Sequence, residues 1–280
     1  MSITNSIPNL VSTKVMMTLQ NELIAKKICT MDMGAQIKKQ GDTVTFPGLA
    51  RPTISAYSGT ISPETLKDSG MTMLIDQQNY YSFYIDDIES FRSVIDVKGT
   101  SVEEAAYGLQ NTADAYVFGL YAGAGTTITA TVSETIALST TATAIRKLEE
   151  KNVKPNQRWL VIPPWYKEKL MLAGVKFSIL MGVGGAKTGV SWVNEWDTDI
   201  YVSNNLYTTG AEGSYVTQCL AGSYNSIGYA EQILKTRYLP EVAGSFAGQA
   251  DGLHVFGAKI LKPFEVVRIA ATQAAASSTI

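Results

Sequence analysis

The chain has 280 residues, of which 45% are hydrophobic and only 17% are charged, and its formal net charge at pH 7 is −2. About 25% of residues are charged in a typical soluble domain, so the low content indicates that other protein covers much of this surface. The nearly neutral charge gives no sign of a nucleic-acid or anionic-membrane partner.

The sequence pattern also argues against a membrane-spanning segment and against a secretory signal. No apolar run reaches the roughly 18 residues of a membrane span, and the N-terminus lacks the charged start and apolar block of a secretory signal. Cys29 and Cys219 have no metal or redox spacing, which is typical of free thiols in a reducing compartment.

The N-terminal third is predicted to form a short amphipathic helix followed by a long two-stranded arm. Val15, Leu19 and Leu23 recur at helical spacing. After GDTVTFP and a polar, turn-rich stretch, a return strand carries apolar residues at every second position. These are Met71, Met73, Ile75, Tyr81, Phe83 and Ile85. About 15 residues per strand would span roughly 50 Å, so we expect the arm to rest on a neighbouring copy of the chain.

A long helix is predicted next. Thr100 and Ser101 with Glu103 and Glu104 form overlapping capping boxes, which favour a helix start at this point. An apolar stripe then continues for about five turns and ends at AGAGTT. The stripe comprises Val102, Ala105, Ala106, Leu109, Ala113, Tyr116, Val117 and Leu120. A helix about 35 Å long beside a projecting arm indicates a structural spine.

The second half is predicted to alternate short helices and strands, which makes the fold class α+β. STTATAIRKLEEKNV reads as a helix with Ala142, Ile145 and Leu148 inward, and RWLVIPP as a buried strand. Pro164 can open the following helix. Further strands are predicted in DTDIYVSNNL and SYVTQCLAGS, and two more in GLHVFGAKILKPFEVVRIAA.

The glycine-rich stretch MGVGGAKTG, residues 181–189, invites comparison with a phosphate-binding loop. Such a loop needs a glycine where Met181 stands and another where Ala186 precedes Lys187. A phosphate-binding loop also leads directly into a helix, whereas residues typical of β-strands follow this stretch. We therefore interpret the stretch as a solvent-facing loop.

The side chains needed for catalysis are scarce. The single histidine, His254, lies in a predicted strand, where a structural role is usual. The carboxylate pairs Asp86–Asp87 and Glu103–Glu104 are adjacent in sequence, so their side chains point in different directions. The sequence has no Cys/His metal cluster and no Gly-x-Ser-x-Gly motif. We therefore expect no enzyme activity, no cofactor and no metal.

Taken in order, several segments resemble the major capsid protein of tailed double-stranded DNA bacteriophages, whose fold is shared with encapsulin shells. They are IKKQGDTVTFP, LIDQQNYYSFYIDDIE, RWLVIPPWYKEKLM, DIYVSNNL and HVFGAKILKPFEVVRI. The resemblance spans nearly the whole chain, and its most specific pieces are GDTVTFP, the return strand and YVSNNL. Each piece is a packing pattern, so the resemblance depends on their order.

The resemblance implies a phage major capsid fold with five parts. They are an N-terminal arm (1–35), an extended β-hairpin loop with its return strand (36–85), a peripheral domain with the spine helix (86–129 and 246–270), an axial domain (130–245) and a C-terminal tail (271–280). Subunit-interface residues are expected in the extended loop and, near a symmetry axis, in the glycine-rich stretch. They are Pro52, Ile54, Tyr57, Ile61, Leu66, Gly182, Gly184 and Lys187.

The implied function is self-assembly into hexamers and pentamers of an icosahedral shell in the host cytoplasm. The expected partners are copies of the chain, a separate scaffolding protein, a portal and double-stranded DNA bound without sequence specificity; no membrane is involved. One alternative is an encapsulin-type compartment, which needs a cargo-binding groove that the sequence does not reveal. The other is a small-molecule enzyme using Asp86, Asp87 and the glycine-rich stretch, which lacks a usable histidine or metal cluster.

Overall fold

The computed structural model describes residues 23–31, 43–46, 52–54, 56–57, 59, 63–65, 70–86, 97–173, 192–195, 198–210, 215–239 and 247–274. The helices are α1 (Ala25–Ile28), α2 (Val97–Gly119), α3 (Glu134–Glu150) and α4 (Pro164–Leu172). The strands are β1 (Thr43–Phe46), β2 (Met71–Leu74), β3 (Gln77–Asp86), β4 (Thr126–Val132), β5 (Arg158–Ile162), β6 (Trp192–Glu195), β7 (Thr198–Val202), β8 (Thr208–Thr209), β9 (Val216–Ser223), β10 (Ile227–Leu239), β11 (Ala247–Ile260) and β12 (Val266–Gln273).

A seven-stranded sheet forms one half of the molecule. Its order is β4-β12-β9-β5-β7-β6, with β8 beside β9. The pairs β4/β12 and β5/β7 are parallel, and the other pairs are antiparallel. All five residues of β5 are buried, as expected for a central strand covered on both faces. Helix α3 packs on β4, β9 and β12, and α4 packs on α3.

A three-stranded antiparallel sheet, in the order β10-β11-β3, forms the other half. Its central strand β11 pairs along its length with both neighbours. Helix α2 packs against β3 and β11. The Tyr116 ring of α2 meets the Phe256 ring of β11 edge-on, with 5.5 Å between centroids. Phe256 and Tyr116 thereby fix the helix on the sheet.

The chain crosses between these two halves at three short connections. They are residues 120–125, 224–226 and 261–265. The connections are bonded to one another: the Ser226 carbonyl accepts hydrogen bonds from the N–H groups of Leu261 (2.8 Å) and Lys262 (3.2 Å). The Pro263 carbonyl accepts one from Gly125 N–H (2.8 Å). The two sheets are therefore joined through one compact group of crossings.

Helix α2 confirms the predicted spine but not its predicted start. Leu109, Ala113 and Val117 are buried, as the stripe requires. The helix already begins at Val97, so Ser101, Glu103 and Glu104 lie inside the helix and past its first turn. The capping-box prediction was wrong because the preceding turn continues the helix and leaves no free N–H groups at Ser101.

The predicted arm is confirmed only at its base. Strands β1 and β2 pair antiparallel from Thr43↔Leu74 to Phe46↔Met71, over four residues each. The return strand breaks after Leu74, and β3 joins the three-stranded sheet. Among the described residues, the paired part of the arm is therefore shorter than the predicted 15 residues per strand. The period-two pattern runs on from β2 into β3, and such a pattern does not reveal that the second strand pairs in a different sheet.

The sheets do not follow the predicted division between residues 130–245 and 246–270 at two strands. Strand β10 lies in the first range but pairs with β11 in the three-stranded sheet. Strand β12 begins in the second range but lies between β4 and β9 in the seven-stranded sheet.

Helix α3 differs from the prediction at one of its three inward positions. Ile145 and Leu148 are buried as predicted, whereas Ala142 is exposed.

Candidate assembly surfaces

The base of the extended segment is anchored on the subunit itself. A small apolar cluster, separate from the main core, joins β1 and β2 to the three-stranded sheet. Its buried members are Val44, Met73, Ile75, Ala230 and Val255, with Phe46 packed against them. The Lys259 ammonium donates a hydrogen bond to the Thr72 carbonyl (2.7 Å). The sheet therefore fixes the direction in which the segment leaves the subunit.

The segment beyond this base exposes apolar side chains. Ile54 is 94% exposed and Tyr57 is 76% exposed, and Pro52 is also exposed. The Glu64 carboxylate accepts a hydrogen bond from Thr53 N–H (3.1 Å), which links the outgoing and returning parts. Such apolar exposure is costly in water and is typical of a surface that another protein covers.

Five of the predicted interface residues cannot be placed on this surface. Ile61, Leu66, Gly182, Gly184 and Lys187 lie outside the described residues. Their role at an interface stays a prediction, as does the loop interpretation of residues 181–189.

Gly257 allows the arm base to approach the sheet closely. A Cβ atom added there would lie 2.9 Å from Ile75 Cα and would overlap the Leu74 carbonyl oxygen. Both obstacles are backbone, so a rotamer change cannot relieve them. Gly257 is thus a position where the absence of a side chain is required.

We expect Gly257→Ala to lower the free energy of unfolding by about 1–3 kcal/mol, because the added methyl group displaces β2. Urea unfolding of the purified chain measures this change. The matched control is Gly108→Ala on α2, where an added Cβ meets nothing within 4 Å. That variant should gain about 0.5–1 kcal/mol from helix propensity; equal effects of the two variants would contradict the close-approach explanation.

A second exposed surface, the outward sheet face, is formed by alternate residues of the three-stranded sheet. Tyr80 is 77% exposed and Tyr84 is 66% exposed. They flank Ser82, and β11 contributes Asp251 and Leu253 beside them. The face borders a depression of about 430 Å³. The period-two pattern of Tyr81, Phe83 and Ile85 predicted only the inward face of β3, whereas the intervening Tyr80, Ser82 and Tyr84 were the sequence signal for this outward face.

Asp251 organises the polar centre of this face. Its carboxylate accepts hydrogen bonds from Arg237 Nη2 (2.7 Å), Ser82 Oγ (2.7 Å) and Gln249 Nε2 (2.6 Å). The Arg237 guanidinium, and then Ser82 and Gln249, lower the pKa of Asp251 to about 2. The Asp251 side chain lies at the surface and is partly exposed, and its partner Arg237 is exposed, so the pair orders the surface more than it stabilises the fold.

His254 has a structural environment, as its position in a strand predicted. It is fully buried, and its ring stacks on Phe256 with 4.9 Å between centroids. Its Nε2 lies 3.2 Å from Glu231 Oε2. Glu231 also accepts hydrogen bonds from Lys26 Nζ (2.9 Å) and Tyr229 OH (3.1 Å). His254, followed by Lys26 and Tyr229, lowers the pKa of Glu231 to about 2, which keeps this carboxylate ionised as a link between α1, β10 and β11.

The other carboxylates considered for catalysis are dispersed. Asp86 ends β3, and Asp87 lies outside the described residues. Glu103 and Glu104 belong to α2. Among the residues that the structure describes, no group of three His, Cys, Asp or Glu side chains could hold a metal ion. No helix within the described ranges is long and apolar enough to cross a membrane.

The fold as a whole is similar to solved phage structures. A structure from Mycobacterium phage Che8 aligns with a TM-score of 0.76 at 22% identity, covering 96% of this chain and 98% of that chain. The capsid of Cyanophage P-SCSP1u aligns at 0.74 and 17% identity, over 96% and 94% of the two chains. The capsid of Ralstonia phage GP4 aligns at 0.73 and 12% identity, over 100% of both chains.

No protein-family model and no curated protein matches the chain. At these identities the structural similarity establishes the fold, and it does so over the full length of the chain. The predicted α+β fold of phage capsid structures is therefore confirmed.

Proposed function

We propose that this chain is a major capsid protein of a tailed double-stranded DNA bacteriophage, which self-assembles into hexamers and pentamers of an icosahedral shell. The observation that carries the proposal is the match to the GP4 capsid over 100% of both chains. The exposed Ile54 and Tyr57, together with a surface poor in charge, support extensive contact between copies. The role is structural and not enzymatic.

Within this proposal, the two sheets correspond to the two domains of the subunit. Helix α2 with β3, β10 and β11 forms the peripheral domain, and the seven-stranded sheet with α3 and α4 forms the axial domain. Residues 1–35 act as an N-terminal arm and residues 271–280 as a tail. The extended segment around Pro52 lies on an adjacent copy.

Further partners follow from the same proposal. A separate scaffolding protein and a portal direct assembly in the host cytoplasm, and the finished virion shell encloses DNA. The net charge of −2 fits a lining that does not trap DNA during packaging and release.

Electron microscopy of the purified full-length chain, with light scattering of the same sample, tests the proposal. Closed shells, tubes or capsomers are the expected products. A monodisperse monomer at every protein and salt concentration tried would contradict a capsid role. Shells that co-purify with a specific host enzyme would favour the encapsulin-type alternative.

Lys187 provides a test of the glycine-rich stretch. If five or six copies meet at one axis, their lysines repel one another within a Debye length of about 8 Å at physiological salt. Lys187→Ala should leave the subunit folded and weaken the salt dependence of capsomer assembly, as measured by sedimentation. The control is Lys154→Ala, at an exposed lysine after α3. Calorimetric ATP or GTP binding that Lys187→Ala abolishes would instead restore the nucleotide-site interpretation.

A further inference from the structure

The described part of the N-terminal segment lies across the crossings between the two sheets. Thr30 N–H donates to the Ile227 carbonyl (2.9 Å), and the Thr30 carbonyl accepts from Tyr229 N–H (3.1 Å). The Thr30 hydroxyl donates to the Tyr224 carbonyl (2.8 Å). Lys26 pairs with Glu231 at 2.8 Å. The segment is therefore bonded on both sides of the point where β9 leads into β10.

One buried carboxylate joins this segment to both halves of the molecule. Asp114 of α2 is 2% exposed. Its Oδ1 accepts hydrogen bonds from the N–H groups of Ile24 (2.8 Å) and Ala25 (2.7 Å), at the start of α1. Its Oδ2 accepts one from Asn205 Nδ2 (2.9 Å), in the loop after β7 of the seven-stranded sheet. The Asn205 amide also donates to Asn111 Oδ1 (2.7 Å), one turn away on α2.

The chemistry of this group indicates a role beyond stability. All three donors to Asp114 are neutral, and burial raises the pKa of its carboxyl group. The titratable groups on which the Asp114 charge acts are Cys29 and Tyr229, and Lys26, which follows Ala25 in the chain, is paired with Glu231. A buried carboxylate without a cation partner among the described residues costs free energy that an apolar side chain would not. What it provides is directional bonding from α2 to two other parts of the chain, the start of α1 and the loop after β7.

We propose that Asp114 and Asn205 form a joint that fixes the angle between the two sheets and thereby the curvature of the assembled shell. The joint ties α2, which packs on the three-stranded sheet, to a loop of the seven-stranded sheet, and the N-terminal segment closes the same contact. The curvature of a shell depends on the angle at which neighbouring subunits meet. If the two halves of a subunit could rotate relative to each other, that angle would vary from subunit to subunit, and the shell would not have one diameter. This consequence rests on the proposed capsid function.

Exchanging the side chains at positions 114 and 205 tests the joint. Each single substitution disturbs the contact, and the double variant has the same amino-acid composition as the original chain. In Asp114→Asn, the charged acceptor is lost, and the new amide, whose oxygen keeps the bonds to α1, meets the Asn205 amide donor against donor unless Asn205 and its partner Asn111 both turn over. In Asn205→Asp, two carboxylates face each other. In the double variant, Asn at 114 donates to Asp at 205 and its oxygen still serves Ile24 and Ala25, so the bond is restored with reversed polarity.

The first measurement is amide hydrogen exchange on the unassembled full-length subunit. We expect each single variant to remain folded by circular dichroism and to exchange about tenfold faster at Asn205 and at Leu261 in the crossings, since one lost hydrogen bond corresponds to roughly that factor. The double variant should return to within about twofold of the original chain. Unchanged exchange at Leu261 in both single variants would overturn the joint.

The second measurement is the diameter distribution of particles by electron microscopy. Single variants should give mixed diameters or tubes, and the double variant should restore one diameter. A single wild-type diameter in both single variants, despite faster exchange, would show that the joint does not set curvature. Absence of any particle from the unchanged chain would refute the proposed function instead, while the exchange experiment would still decide the joint.

Discussion

Deletion of residues 52–70 is expected to abolish assembly and to leave the subunit folded. Phe46 and Met71 are paired partners at the open end of β1 and β2, so residues 47–51 would close the hairpin as a five-residue loop, which is an ordinary hairpin length. The apolar cluster at the arm base and the Lys259–Thr72 bond remain intact. What is lost is the exposed surface that includes Ile54 and Tyr57.

Circular dichroism and sedimentation velocity of the deletion variant check this expectation. Point substitutions supply the graded control: Ile54→Ser with Tyr57→Ser removes apolar area but keeps the segment, and should weaken assembly by less than the deletion. If the deletion variant is unfolded, the segment belongs to the subunit's own core. If it assembles normally, the segment is not an interface.

Val117→Asp should prevent folding altogether. Val117 is fully buried in the main core, and an unpaired carboxylate at that position costs several kcal/mol. A domain with about 5–15 kcal/mol of total stability loses most of it to such a change. The expected result is insoluble protein, or soluble protein without a cooperative thermal transition in calorimetry.

The matched control for this substitution is Thr112→Asp. Thr112 is also β-branched and lies on the same helix, but it is exposed, and its hydroxyl donates a hydrogen bond to the Gly108 carbonyl (3.0 Å). Its replacement should cost less than about 1 kcal/mol. Equal soluble yields of the two variants would show that Val117 does not face the core.

Sequence patterns revealed elements whose partners are local. The stripe through Leu109, Ala113 and Val117 predicted α2 because burial on one face repeats at the helical period. The apolar run of Trp159–Ile162, which makes up the last four residues of β5, predicted a buried strand. Pro164 correctly marked the start of α4, because proline fits the first turn of a helix.

Other features depend on contacts between distant residues, which local patterns do not encode. Strand β10 was missed because its alternation includes charged side chains such as Glu231 and Arg237, which find their partners on β11 and α1. Asp114 lies 90 residues from Ile24 and 91 from Asn205. A single aspartate within an apolar stripe was the only signal of that joint, and its partners could not be identified from spacing.

Strand β12 has a consequence for how the chain is made. It is the last strand of the sheet in chain order and ends at Gln273, yet it lies between β4 and β9 and connects them. A ribosome releases residues in order, so β4 and β9 emerge long before the strand that joins them. The sheet therefore stays in two parts until residues 266–273 have been synthesised, and such late, long-range pairing is slow. A nascent chain, or one truncated before β12, cannot present a finished seven-stranded sheet to its neighbours, so the topology itself delays association until β12 has joined its sheet.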